Sequence, residues 1–158
     1  MEVGQRLDRL FNPASVAVVG VSSRLDSPGT LLLRALKDMG FEGSIYPVNP
    51  KYESILGLEC FPSVADIPRA PDLVILATPP GSVPSLVREC AGAGVGACVV
   101  NTAGFSESGS GEGARLEAGI LDAIRGTPLR VVGTLRLERV VKGIPSNGGR
   151  SSRHWART

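Results

Sequence analysis

At 158 residues with 42% apolar side chains, the chain is sized for one globular domain and is too short for two full ones. Its formal charge of +2 conceals a division, since residues 1–128 carry 10 Lys/Arg against 14 Asp/Glu and residues 129–158 carry 7 against 1. The body thus lacks the basic stripe and stacking aromatics of a nucleic-acid interface, and the excess of cations belongs to a Gly/Ser/Arg-rich terminus expected to be poorly ordered.

Apolar runs of strand length alternate with segments of helical period along the body. Ser15–Val19 reads as a first strand, after which Leu31, Leu32, Leu36 and Met39 recur at helical spacing and Gly40 suits the helix C-cap. Ser44–Val48 is a second strand, with Pro47 and Pro50 fixing an extended exit, and Ser63–Ile67 is a helical turn. Asp72–Ala77 is a third strand, followed by a helix through Val83, Leu86, Val87 and Cys90 that Gly92 and Gly94 end. Ala97–Asn101 is a fourth strand, Glu112–Arg125 a helix and Leu129–Val132 a fifth strand. Strands that are apolar almost throughout belong in a parallel sheet covered on both faces. The expected fold is a single-domain α/β structure, a doubly wound parallel sheet of Rossmann-like type with its ligand at the carboxyl ends of the strands.

No apolar run reaches the roughly 18 residues that span a bilayer, and the first residues lead into no signal-peptide core, so the reading is a cytoplasmic protein without membrane contact. Cys60, Cys90 and Cys98 are odd in number and scattered, with no C-x-x-C, and read as small buried hydrophobes. No metal cluster or Ser-His-Asp order is present in the body.

Four strand exits carry the candidate chemistry. After the first strand come Gly20, Val21, Ser22, Ser23 and Arg24. A G-x-G-x-x-G fingerprint is missing its second and third glycines here, leaving a turn glycine, two hydroxyls and a guanidinium able to grip phosphate. After the second strand, Lys51 in Asn49-Pro50-Lys51 stands where an NAD enzyme carries an acid for the ribose 2′-hydroxyl. A cation there fits a phosphorylated ribose, that of NADP or of coenzyme A. Thr78-Pro79-Pro80 ends the third strand in an extended, proline-stiffened backbone, and Asn101-Thr102-Ala103-Gly104 ends the fourth, Gly104 permitting close backbone approach.

The order Leu10-Phe11-Asn12-Pro13-Ala14-Ser15 to Gly20, then Ile45 to Lys51, Ile55-Leu56-Gly57 and Pro62 to Pro68 resembles the CoA-binding domain of the NDP-forming acyl-CoA synthetases. That superfamily includes ADP-forming acetyl-CoA synthetase and the succinyl-CoA synthetase alpha subunit. By this resemblance Gly20, Ser22, Ser23 and Arg24 meet the CoA phosphates, and Lys51 lies near the nucleotide. Val48, Asn49 and Pro50 flank the adenosine, Thr78, Pro79 and Pro80 guide the pantetheine, and Asn101, Thr102, Ala103 and Gly104 approach the thiol end.

The likeness stops at Gly133, where the family has a Gly-Pro-Asn-Cys-like turn and this chain reads Thr134-Leu135-Arg136. The division expected is a CoA-binding domain over residues 1–133 and a divergent basic tail over 134–158. The family's phosphoryl-carrying histidine belongs to a second domain, and the one histidine here, His154, lies in the unmatched tail. The reading is therefore a module that binds CoA or acyl-CoA and is not catalytic alone. Alternatives are an NADP-binding oxidoreductase fragment and a regulatory subunit working with an ATP-grasp partner, and self-association into a homo-oligomer stays open.

Overall fold

The computed structural model describes residues 8–102 and 111–133. Among these residues there are seven strands: β1 (Ser15–Val19), β2 (Ser44–Val48), β3 (Ser54–Ile55), β4 (Leu58–Glu59), β5 (Leu73–Leu76), β6 (Ala97–Val100) and β7 (Arg130–Gly133). Three helices join them: α1 (Pro28–Asp38), α2 (Val83–Gly92) and α3 (Glu112–Ile124). Five strands form one parallel sheet in the order β2-β1-β5-β6-β7. The chain leaves β1 in one direction to reach β2 and later returns past it to β5. The exits of β1 and β5 therefore diverge at a switch point, where a doubly wound sheet opens a crevice.

Period-two alternation within β1 divides its side chains between two cores. Val16 and Val18 pack with Leu33 of α1, while Ala17 and Val19 pack with Val83 and Val87 of α2 and Ile120 of α3. Both faces are thus buried, and each fully buried valine contributes roughly 1.5–2 kcal/mol of transfer free energy. The α/β fold and the five long strands agree with the sequence reading to within a residue or two at each end. At the amino edge Asp72 ties two strands together: its carboxylate accepts from the Ala14 N–H at 3.0 Å and its own N–H donates to Ser15 Oγ at 3.0 Å.

Two elements depart from the reading. The hairpin β3–β4 was not expected, because its two-residue turn is Leu56-Gly57 and not the Asn-Gly that announces such turns. Both turn residues have positive φ, 50° and 77°, and Lys37 of α1 donates to the Leu56 carbonyl at 2.7 Å to hold the strained residue in place. Of the two prolines beyond β5, Pro79 is extended, whereas Pro80 opens a single 3-10 turn over Pro80–Ser82 that leads into α2. A proline at the start of such a turn leaves no helical donor unsatisfied, so the pair ends an extended segment and begins a helical one.

Candidate functional site

Gly20 leaves β1 at φ +95°, and a Cβ there would lie 2.4 Å from the Ala77 carbonyl oxygen and 3.0 Å from Thr78 Cγ2. The exits of β1 and β5 are therefore in direct contact at the switch point. Gly29, in the first turn of α1, makes an equally close approach: its Cβ would sit 2.5 Å from the Gly20 oxygen and 2.9 Å from the Val21 nitrogen. A nine-residue separation replaces the usual fingerprint spacing, and Gly29 performs the helix-to-strand packing of the fingerprint's third glycine. The N-terminus of an eleven-residue helix, with Pro28 at its start, is thereby pressed against the β1 exit. Its positive end faces the crevice.

The loop between them is held by a closed set of hydroxyls. The Ser22 N–H donates to Thr30 Oγ1 at 3.0 Å, Thr30 Oγ1 donates back to the Ser22 carbonyl at 2.8 Å, and Ser27 Oγ donates to Thr30 Oγ1 at 2.8 Å. Ser22 Oγ donates to Ser27 Oγ at 3.0 Å and accepts the Arg24 N–H at 3.2 Å. Thr30 is fully buried, so this network fixes the loop rather than offering free donors. Ser22 is accordingly a loop-shaping residue, while Ser23 and Arg24 lie exposed at the rim.

Arg24 makes a two-pronged pair with Asp26, Nε to Oδ1 at 3.2 Å and Nη2 to Oδ2 at 3.0 Å. The hydrogen bond and charge of Asp26 raise the guanidinium's pKa, and Arg24 in turn holds the Asp26 carboxyl below the usual aspartate value.

Across the crevice the β2 exit is equally ordered. Asn49 Nδ2 donates to the Val21 carbonyl at 2.7 Å and Asn49 Oδ1 accepts the Lys51 N–H at 2.9 Å, so this amide clamps the loops after β1 and β2 together. Val48 is 2% exposed and belongs to the core beneath, whereas Pro50 and Lys51 are exposed. Lys51 makes no ion pair among the described residues. Tyr52 brings its hydroxyl to 3.3 Å from Ser23 Oγ and so bridges the same two loops. Hydrogen bonding with Ser23, helped by the charge of Lys51, pulls the phenol below its ordinary pKa.

At the β5 exit Thr78 Oγ1 is buried with no hydrogen-bond partner, and the Thr78 carbonyl accepts from Thr102 Oγ1 at 2.9 Å. Asn101 is exposed at the end of β6, while Ala103 and Gly104 lie outside the described residues, as does the tail 134–158 with His154. The structure thus brings Gly20, Ser22, Ser23, Arg24, Asn49 and Lys51 together at the adjoining exits of β1 and β2, with Thr78 at the neighbouring exit of β5.

Sequence reasoning missed Asp26, Ser27, Gly29, Thr30 and Tyr52. The run Ser27-Pro28-Gly29-Thr30 contained a usable signal, an N-cap serine followed by a proline at the first helical position, with the compensating glycine beside it. The three cysteines are all buried. Contact with Cys90 and burial push the Cys98 thiol well up, and burial pushes Cys60 up, so neither is poised as a thiolate.

The CoA binding domain family matches residues 14–134. This chain belongs to that family. The domain is 43% identical over 124 residues to the ADP-forming acetate–CoA ligase II of Archaeoglobus fulgidus, covering 78% of this chain and 18% of the relative. It is 34% identical over 131 residues to the alpha subunit of the ADP-forming acetate–CoA ligase I of Pyrococcus furiosus, covering 80% of this chain and 28% of the subunit. Among solved structures it is similar to the dinucleotide forming acetyl-coenzyme A synthetase 1 of Ca. Korarchaeum cryptofilum in complex with phosphate and ADP. There the TM-score is 0.75 at 38% identity, over 80% of this chain and 27% of that one. The CoA-binding domain thus spans under a third of these proteins' lengths. Its cofactor is coenzyme A, and nothing in these likenesses favours NADP. No helix among the described residues is long and apolar enough to cross a membrane.

Proposed function

We propose that this domain grips CoA or an acyl-CoA across the β1–β5 switch point and serves as the CoA-carrying part of an NDP-forming acyl-CoA synthetase. The observation that carries the reading is the pairing of Gly20 with Gly29, which presents the α1 N-terminus to the crevice while Lys51 faces it from the β2 exit. Phosphates are stabilised there by the helix end, Ser23, Arg24 and Lys51, through charge-assisted hydrogen bonds. Ser22 and Asn49 keep the two loops in register, and Pro50 borders the adenosine over the core residue Val48. Thr78, with its unpartnered hydroxyl, Pro79 and Pro80 line the way of the pantetheine arm, towards Asn101, Thr102, Ala103 and Gly104 at the thiol end. The domain extends to Gly133, with residues 134–158 as an appended tail.

The described residues contain no group of three or more His, Cys, Asp or Glu able to hold a metal, and their cysteines are buried. The match covers 28% of the Pyrococcus furiosus alpha subunit, and acyl activation and phosphoryl transfer are assigned to the other parts of such a synthetase, with an ATP-grasp partner. Calorimetric titration with CoA and 3′-dephospho-CoA tests the site. Lys51→Met should weaken CoA several-fold and leave dephospho-CoA almost unchanged, because the lysine is assigned to the 3′-phosphate. Equal loss for both ligands would move Lys51 to the diphosphate, and no loss for either would remove it from the site.

A further inference from the structure

Arg24 does not wait with an empty guanidinium. Asp26 engages Nε and Nη2 with its two oxygens, the planar two-bond geometry that a phosphate would need from the same side chain. The arrangement is built into the loop: Ser22 Oγ holds the Arg24 N–H, and the Ser27 N–H donates to the Arg24 carbonyl at 3.2 Å, so Arg24 and Asp26 sit in a closed turn. Both side chains are three-quarters exposed, which keeps the pair weak enough for a ligand to displace. Lys51, the other cation at the crevice, has no acidic partner among the described residues, so the restraint falls on Arg24 alone.

We infer that Asp26 is an internal competitor for the ligand's phosphates, a specificity-setting carboxylate that occupies Arg24 until CoA displaces it. The inference rests on Arg24 being a phosphate contact. The Asp26 carboxylate lets go of the guanidinium as phosphate takes its place, and it then turns to water. Binding therefore costs the Asp26–Arg24 pair, and a ligand must carry enough phosphate charge to outcompete it. The effect is larger at low ionic strength, where an exposed pair is least screened.

A double-mutant cycle tests this by titrating CoA into the wild-type protein, Asp26→Asn, Arg24→Ala and the double variant, at low and at high salt. Asp26→Asn should tighten CoA about two- to fivefold at low salt, the fold-change matching the ordinary strength of an exposed ion pair. The gain should vanish in the Arg24→Ala background. A gain that persists without Arg24 would make Asp26 a general negative field and overturn the inference. So would the absence of any gain in a protein where Arg24→Ala weakens CoA. If Arg24→Ala leaves CoA affinity unchanged, the assignment of Arg24 to the phosphates fails and the competitor role falls with it. Unfolding midpoints of all four proteins should agree to within a few degrees, since both residues are exposed.

Discussion

Replacing Gly29 with alanine sets two physical effects against each other. By helix propensity alone, alanine in α1 should stabilise the chain by up to about 1 kcal/mol. The structure reverses that sign. The new methyl carbon would lie 2.5 Å from the Gly20 oxygen, 2.7 Å from the Gly20 carbonyl carbon and 2.9 Å from the Val21 nitrogen, all of them backbone atoms that cannot swing aside. Ordinary contact begins near 3.4 Å, so α1 must retreat from the β1 exit by about 0.9 Å or the Gly20–Val21 peptide must bend away. Overpacking of this kind costs about 1–3 kcal/mol, and at roughly 4 °C per kcal/mol for a domain of this size the melting temperature should fall by roughly 4–12 °C. CoA affinity should fall as well, because the displaced peptide is the one that presents the helix N-terminus. The control is Gly92→Ala at the end of α2, where a Cβ would meet nothing within 4 Å. That change should stabilise by about 0.5–1 kcal/mol and leave CoA binding untouched. Thermal and urea unfolding of the two variants, paired with CoA titration, decide the matter. A Gly29→Ala protein as stable as wild type with unaltered affinity would refute the close approach as the feature that builds the site.

Three further outcomes follow from particular contacts. Asn49→Ala removes hydrogen bonds to Val21 and Lys51 and should lower unfolding stability by about 1–3 kcal/mol in urea titration, with CoA affinity falling in parallel because the two loops lose their register. Thr78→Val replaces a buried hydroxyl that has no partner, so it should raise stability by about 1 kcal/mol while weakening CoA several-fold, a split read by calorimetry and melting on one sample. The Cys98 thiol is held well above its ordinary value of 9.0 in the folded protein. The unfolded chain therefore loses that proton first, the stability is fully present below about pH 9, and it declines as pH rises above that value. Unfolding free energy measured from pH 8 upward should show this negative slope in wild type and a shallower one in Cys98→Ala; equal slopes would sink the assignment.

The strands were legible because a parallel sheet covered on both faces leaves runs such as Val16–Val19 and Leu73–Leu76 apolar without interruption, and few other structures do. The candidate site is placed by the same topology, since glycine, hydroxyl and cation cluster at the strand exits. What stayed hidden depends on spacing in three dimensions. Gly29 replaces a fingerprint glycine from nine residues away, which a local pattern cannot register. Ser22 reads as a phosphate donor from sequence, whereas in the structure its hydroxyl is engaged by Ser27 Oγ and the Arg24 N–H and its backbone by Thr30. Asn49 reads as a nucleotide neighbour, yet its amide is spent on backbone groups of two loops. The Leu56-Gly57 hairpin was masked by a leucine at a positive φ that its own sequence does not favour.

The most direct test of the central claim is a calorimetric comparison of CoA, 3′-dephospho-CoA, NADP and NAD on the wild-type protein under one set of salt and pH conditions. The expected result is saturable binding of CoA at one site, weaker binding of dephospho-CoA, and no comparable binding of NADP or NAD. Tight NADP binding with no response to CoA would contradict the reading of the Gly20–Arg24 loop and Lys51 as a grip on coenzyme A.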